Sequence, residues 1–225
     1  MTEFSVFGIP ILSFLIFFPL LGAVLLLFVK RENTILIKSA ALIFSLFELF
    51  CSIPLFYKFS NTAKGMQFVE KADWFPDWGI SYYLGIDGIS LLLVLLTTFL
   101  TVICVLCSWK AIEDKVKEYY ITFLFLETAM IGTLCALDLV LFYVFWELML
   151  IPMYLLIGVW GGPNRIYAAI KFFLFTMAGS VLMLVAILYL YFFYYAQSGI
   201  YTFNVMELYK ASVPIAKQYW LFGAF

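Results

Sequence analysis

The sequence contains no histidine, and only 12% of its 225 residues are Asp, Glu, Lys or Arg. The first absence removes the usual axial ligand of haem, the commonest catalytic metal ligand and the side chain that titrates most readily near neutrality. Any proton chemistry therefore falls to Glu, Asp and Lys with displaced proton affinities. The second absence accompanies 66% hydrophobic residues and a mean hydropathy of +1.07. A soluble domain of this length could not hide so much apolar surface, whereas a bilayer can. A formal net charge of -1 and the lack of a dense Lys/Arg cluster exclude nucleic acid as a partner and argue against a polybasic membrane patch. Cysteine is scarce as well. Cys51, Cys104, Cys107 and Cys135 all fall inside apolar runs, against a disulfide framework. Cys104 and Cys107 form a C-x-x-C, but it lies within a hydrophobic span with no second pair, so it reads as apolar packing before redox or metal chemistry.

What is present is a series of long apolar runs. A helix needs about 20 apolar residues to cross roughly 30 Å of hydrocarbon, and about six segments qualify: 9–29, 35–57, 86–109, 119–137, 138–160 and 164–195. Residues 1–8 offer no basic n-region and no small-residue cleavage site, so the first run reads as a retained helix. Between the second and third spans, 58–84 is polar and aromatic, with Trp74, Trp78, Tyr82 and Tyr83 placed like an interfacial belt. Only a tight turn separates the fourth and fifth spans, which makes them antiparallel neighbours, and Gly161-Gly162-Pro163 ends the fifth. Asn204 and Glu207 have the spacing of a capping box and predict a short surface helix over about 205–212. A seventh apolar run begins at 219–225, too short to span, so the chain reads as cut short. The fold class is thus an all-α integral membrane protein, a polytopic helix bundle in a single transmembrane domain, 1–225.

Orientation follows from the loops. With the N-terminus outside, the short inner loops hold Lys30, Arg31, Lys110, Lys115, Lys117 and Arg165, against Lys58, Lys64, Lys71, Lys210 and Lys217 in longer outer segments.

An ionisable group at the centre of a bilayer costs several kcal/mol, so the charges inside spans are the functional candidates. Glu147 lies half-way along the fifth, in Phe145-Trp146-Glu147-Leu148-Met149. Pro152 cannot donate to the carbonyl of Leu148, which leaves a free acceptor one residue from the carboxylate. Glu147 is the leading proton-transfer candidate; the bland alternative is a neutral Glu that only glues helices together. Lys171 sits about 10 Å into the sixth span at about 1.5 Å per residue; it is either an internal base that relays protons with Glu147 or a lysine that snorkels to the interface. Glu127, mid-way along the fourth span, and Asp138, at the turn into the fifth, are candidates for a proton path. Asp138 is more simply a helix-start residue favoured by the dipole. Glu48 has no obvious partner and reads as a protonated or subunit-facing carboxylate. Asp87 in Gly85-Ile86-Asp87-Gly88-Ile89-Ser90 reads as a helix cap, and Gly132 with Ala136 as ordinary small-residue packing.

These residues resemble a known family. Leu84-Gly85-Ile86-Asp87-Gly88-Ile89-Ser90, Leu137-Asp138-Leu139-Val140-Leu141-Phe142-Tyr143-Val144-Phe145-Trp146-Glu147, Ile151-Pro152-Met153-Tyr154, Gly158-Val159-Trp160-Gly161-Gly162 and Lys171-Phe172-Phe173-Leu174-Phe175-Thr176 are similar to blocks of the subunit M family of bacterial proton-translocating NADH–quinone oxidoreductase, respiratory complex I. The blocks cover the third span to the sixth; the first two spans resemble the family only in hydropathy. The resemblance implies an antiporter-like fold of inverted repeats with broken helices, truncated here after about six helices. It implies a multi-pass subunit of the bacterial inner membrane that translocates protons, with other membrane-arm subunits and the lipid bilayer as partners. It also implies that this chain binds no cofactor or metal, NADH, flavin, iron–sulfur clusters and quinone being handled by other subunits. The family's fifth-helix glutamate maps onto Glu147, and its partner lysine onto a helix beyond Phe225. The rival readings are a subunit of a multi-subunit cation/proton antiporter and a purely structural membrane subunit.

Overall fold

The structure is a computed structural model, described for residues 5–6, 9–60, 62–63 and 65–225. The reading of 1–8 as leaderless, but for residues 5–6, and the use of Lys64 in the charge comparison lie outside the described residues. Two short antiparallel strands, β1 (Ser5–Val6) and β2 (Ile9–Pro10), precede α1 (Ile11–Leu27) and α2 (Thr34–Lys58). The hairpin of β3 (Gln67–Phe75) and β4 (Ile80–Ile86) follows, then α3 (Gly88–Ala111), α4 (Val116–Cys135), α5 (Leu139–Trp160), α6 (Arg165–Ser198), α7 (Val205–Leu208) and α8 (Ile215–Ala224).

Helix α4 is the hub: it packs against α1, α2, α3 and α5, while α6 packs on α5 and α8 on α6. Sequence periodicity explains the outer helices. On α3 the buried residues Leu91, Val94, Thr98, Thr101, Val105 and Ser108 recur every three or four positions, and Leu92, Leu96, Phe99, Ile103 and Leu106 point outward. Such exposed apolar faces suit lipid or neighbouring membrane helices. Among the described residues, four helices are long and apolar enough to cross a membrane: α2, α3, α5 and α6. Helix α1 is shorter, at 17 residues, and α4 carries Lys117, Glu118 and Glu127. The polar residues of α4 are tolerable because its neighbours, not lipid, surround it. The chain is a multi-pass membrane protein.

At one end of the bundle, lysines close open helix ends. Lys38 Nζ donates to the carbonyls of Trp109, in the last turn of α3, and Ile112, its C-cap, at 2.6 and 3.1 Å. Lys117 Nζ donates to those of Leu27 and Val29 at 2.7 and 2.8 Å, past the end of α1. Both satisfy orphan carbonyls and sit where the helix dipole favours a cation.

The other end holds what the sequence reading missed. The interfacial stretch 58–84 is largely a β-hairpin that lids the bundle, with β3 and β4 antiparallel and two register shifts. Its turn is a 3-10 segment, Pro76–Trp78, closed by Gly79 at φ 67. A Cβ on Gly79 would come within 2.0 Å of the Tyr201 carbonyl oxygen, so only glycine fits. From the hairpin, Glu70 reaches across to cap α1 in trans. Its carboxylate accepts from the N–H groups of Leu12 and Ser13 at 2.7 and 3.0 Å and from the Ser13 hydroxyl at 2.5 Å. Burial raises the Glu70 proton affinity against these donors. The neighbouring Tyr82 hydroxyl, 2.8 Å from Ser13 Oγ, is pushed up to about 12, first by burial. The expected surface helix over 205–212 is shorter than read. Asn204 accepts from the Met206 N–H at 2.9 Å, but Glu207 turns to Lys210 at 2.8 Å instead of closing a capping box, and α7 stops at Leu208.

Candidate functional site

Helix α5 is set in place at its first residue. Asp138 is 0% exposed, and its carboxylate accepts from the N–H groups of Val140 and Leu141 at 2.9 and 3.2 Å. From β4, Ser81 adds its N–H at 2.9 Å and its hydroxyl at 3.3 Å. The same turn is laced into the lid by Leu137 N–H to Tyr83 O at 2.8 Å and Leu139 N–H to Phe203 O at 2.9 Å. With four donors pointing at it, Asp138 is a strong helix cap. Asp87 caps α3 in the same way, accepting from the Ser90 N–H at 2.7 Å. Close approach fixes the α4–α5 contact: a Cβ on Gly132 would meet the Phe145 ring at 2.4 Å.

Two turns and more into α5 stands Glu147, half-buried. Its Oε1 is enclosed and has no hydrogen-bond partner. Tyr143, one turn earlier, has Glu147 and Ser180 of α6 as its polar neighbours. Beside them is a cavity of about 550 Å³, lined by Leu126 and Met130 of α4, Trp146 and Leu150 of α5, Ser180 of α6, and Phe225 among others. Pro152 lies within α5 and on its buried side, so the carbonyl of Leu148 loses its helical donor next to the carboxylate. A carboxyl with an unmet oxygen beside a free backbone acceptor can take up a water or receive a basic side chain.

The structure does not bring Lys171 to this acid. Lys171 is exposed on α6 with its ammonium 5.9 Å from the Tyr167 ring centroid. The α5–α6 turn explains why: Glu147 lies roughly 20 Å along its helix from that turn and Lys171 only about 9 Å, at about 1.5 Å per residue. Glu127 is fully buried, but it faces Glu48 across the α2–α4 contact and not Glu147. The partner of Glu48 was not legible in the sequence, because the two glutamates sit on helices whose rotation about their axes only packing decides. Among the described residues, no group of three or more His, Cys, Asp or Glu could hold a metal, and Cys104 and Cys107 are exposed free thiols on α3.

Comparison with known proteins adds the following. Residues 12–137 match the family described as NADH-ubiquinone oxidoreductase chain 4, amino terminus, and residues 136–224 match NADH:quinone oxidoreductase/Mrp antiporter, TM. NADH-quinone oxidoreductase subunit M of Rickettsia conorii is 38% identical over 223 residues, covering 96% of this chain and 44% of that protein. NADH-ubiquinone oxidoreductase chain 4 of Arabidopsis thaliana is 48% identical over 182 residues, 80% of this chain and 37% of that protein. A chain of respiratory complex I from Thermus thermophilus with bound NADH superposes with a TM-score of 0.78 at 25% identity, over 95% of this chain and 42% of that one. In fold alone, the chain is also similar to one in the Mrp complex of Dietzia, with a TM-score of 0.68, 17% identity and coverage of 88% and 20%. The chain spans less than half the length of the curated relatives it matches.

Proposed function

The chain belongs to the subunit M and chain 4 family of NADH–quinone oxidoreductases, and from that membership we propose that it serves in the membrane arm of a proton-translocating NADH–quinone oxidoreductase, with Glu147 as its proton-transfer acid. We read α1 and α4 as spanning with the other four, the N-terminus outside, in a bacterial inner membrane. The observation that carries the reading is the Glu147 carboxyl, mid-way along a spanning helix with an enclosed oxygen that nothing satisfies.

The chemistry follows from dielectric. An isolated carboxyl in a dry interior is driven toward its neutral form, and a nearby cation restores the charged one. A base drawn toward or away from Glu147 therefore changes its proton affinity without any redox group in this chain. The resemblance puts that base, a lysine, beyond position 225. Quinone reduction on other subunits would drive the movement. Each proton moved works against roughly 2.3 kcal/mol per 100 mV of membrane potential, a sum that a charge pair separated in low dielectric can hold and an exposed pair cannot. Asp138 serves this reading as the anchor that sets the register of α5. Lys171, exposed and about 10 Å off in depth, is left outside the path.

The test uses the full-length protein in its complex, in sealed inverted vesicles supplied with NADH. Glu147→Gln leaves the complex assembled and lowers proton uptake at least tenfold; Glu147→Asp is milder; Lys171→Ala stays within twofold of the parent. An unchanged Glu147→Gln variant overturns the reading. The kinship to Mrp antiporters keeps a second reading in view, a cation/proton antiporter subunit. Co-purifying flavin and iron–sulfur subunits decide between the two.

A further inference from the structure

Two carboxyl groups face each other in the middle of the bundle, with no ion pair to either among the described residues. Glu48 belongs to the buried row Ala41, Ser45, Glu48, Ser52 of α2, and Glu127 lies on α4; both are 0% exposed. Glu127 stands roughly 17 Å from the start of α4 and 12 Å from its end at about 1.5 Å per residue, so the pair is deep on either side. All four carboxyl oxygens are enclosed, and none accepts a hydrogen bond from a donor group. Yet the two groups are close enough to interact directly, and Thr101 on α3 lies near Glu127.

Among the described residues, no ion pair from a surrounding element compensates either carboxyl. Helix α1 contributes no titratable side chain, and α3 contributes the hydroxyls of Thr98 and Thr101. Helix α2 adds only the Cys51 thiol beside Glu48. Helix α5 meets α4 at Gly132 through the Phe145 ring. Of the lysines of α2 and α4, Lys38 and Lys117 are tied to backbone carbonyls at one end of the bundle, and Lys58 is exposed in the last turn of α2, about 15 Å along the helix from Glu48 at about 1.5 Å per residue. Two ionised carboxylates in contact in so dry a place would repel without relief, whereas one proton between them turns repulsion into a strong O–H···O bond.

We propose that Glu48 and Glu127 form a proton-binding site, a carboxyl pair that keeps at least one proton between its members at neutral pH and exchanges it as a unit, on the opposite flank of α4 from Glu147. Uptake forms one O–H bond on one carboxyl while the other accepts from it; release returns a proton and leaves no group oxidised or reduced. Hydroxyls edge the pair: Thr101 of α3 lies near Glu127, and on the same helix the Thr98 hydroxyl is 3.1 Å from that of Ser52 on α2. This site goes beyond the Glu147 reading and does not require it.

The test is infrared difference spectroscopy between neutral and alkaline pH on the full-length protein in its purified complex, in nanodiscs. The parent shows a protonated-carboxyl carbonyl band at neutral pH. Glu48→Gln and Glu127→Gln each shift the band of the carboxyl that remains, and the double variant loses it completely. The band persists in Glu147→Gln, so failure of the pumping account and failure of this one are told apart. A band indifferent to both substitutions, or surviving the double variant, overturns the proposal. So does failure of the Gln variants to assemble, because an amide reproduces the shape and hydrogen bonding of a neutral acid.

Discussion

The two flanks of α4 treat buried acid in opposite ways. On the α2–α3 flank, Glu48 and Glu127 are fully enclosed, matched to each other and edged by hydroxyls. On the α5–α6 flank, Glu147 is half-buried, with Tyr143 and not a second acid as its polar neighbour, and its neighbours Trp146 and Ser180 line a cavity of about 550 Å³. A closed pair can hold a proton but offers a mobile partner no room. A single acid next to a proline-broken hydrogen-bond ladder, with a cavity one side chain away, leaves an unmet oxygen that a water or a cation could satisfy. The contrast teaches that the number of buried carboxyls says little about transport, and the space around each says more.

The contrast breaks most sharply under truncation. Glu127→Ala empties a site with no solvent to fill it and strands Glu48, a loss of about 2–4 kcal/mol by analogy with core truncations. Glu147→Ala, beside an existing cavity, loses well under half of that. Thermal unfolding of the purified complexes should rank them in this order, and equal losses would erase the distinction between flanks. Next in size is Asp138→Ala, which removes the acceptor for two helix N–H groups and for Ser81, a loss of roughly 2 kcal/mol. It lowers the unfolding midpoint and, by loosening α5, reduces pumping only partly. A pumping defect as large as that of Glu147→Gln would place Asp138 in the proton path after all.

The smallest effect concerns Glu70, a carboxyl with donors in place of a like neighbour. Burial raises its proton affinity above the ordinary value of 4.5 in the folded state. Its contribution to stability is therefore complete below 4.5 and declines as pH climbs through the raised folded value. The difference in unfolding midpoint between the parent and Glu70→Gln should shrink by the equivalent of about 1 kcal/mol or less on going from acid to neutral pH. A difference that grows instead would mean that the Ser13 and Leu12 donors outweigh burial.

Much of this was legible in the sequence. Long apolar runs, the Asp87 cap and the lone Glu147 ahead of Pro152 are local patterns, and the Phe145-Trp146-Glu147 block carries the family. What was hidden depends on how helices turn toward one another. Glu48 lacks a partner in sequence because Glu127 meets it only through the rotation of α2 and α4. Lys171 looked like a partner for Glu147 because both flank one turn, but their unequal distances from that turn keep them apart. The hairpin was hidden because its strands are short and irregular, with Phe68 at φ 53 and two register shifts blurring the alternation. Its glycine turn is explained only by Tyr201, far along the chain.

The most direct measurement of the central claim is the number of protons taken up per NADH oxidised, in sealed vesicles carrying the complex with Glu147→Gln. The account predicts an assembled complex whose proton-to-NADH ratio falls clearly below that of the parent. A ratio equal to the parent's, with the variant present at normal abundance, would contradict it.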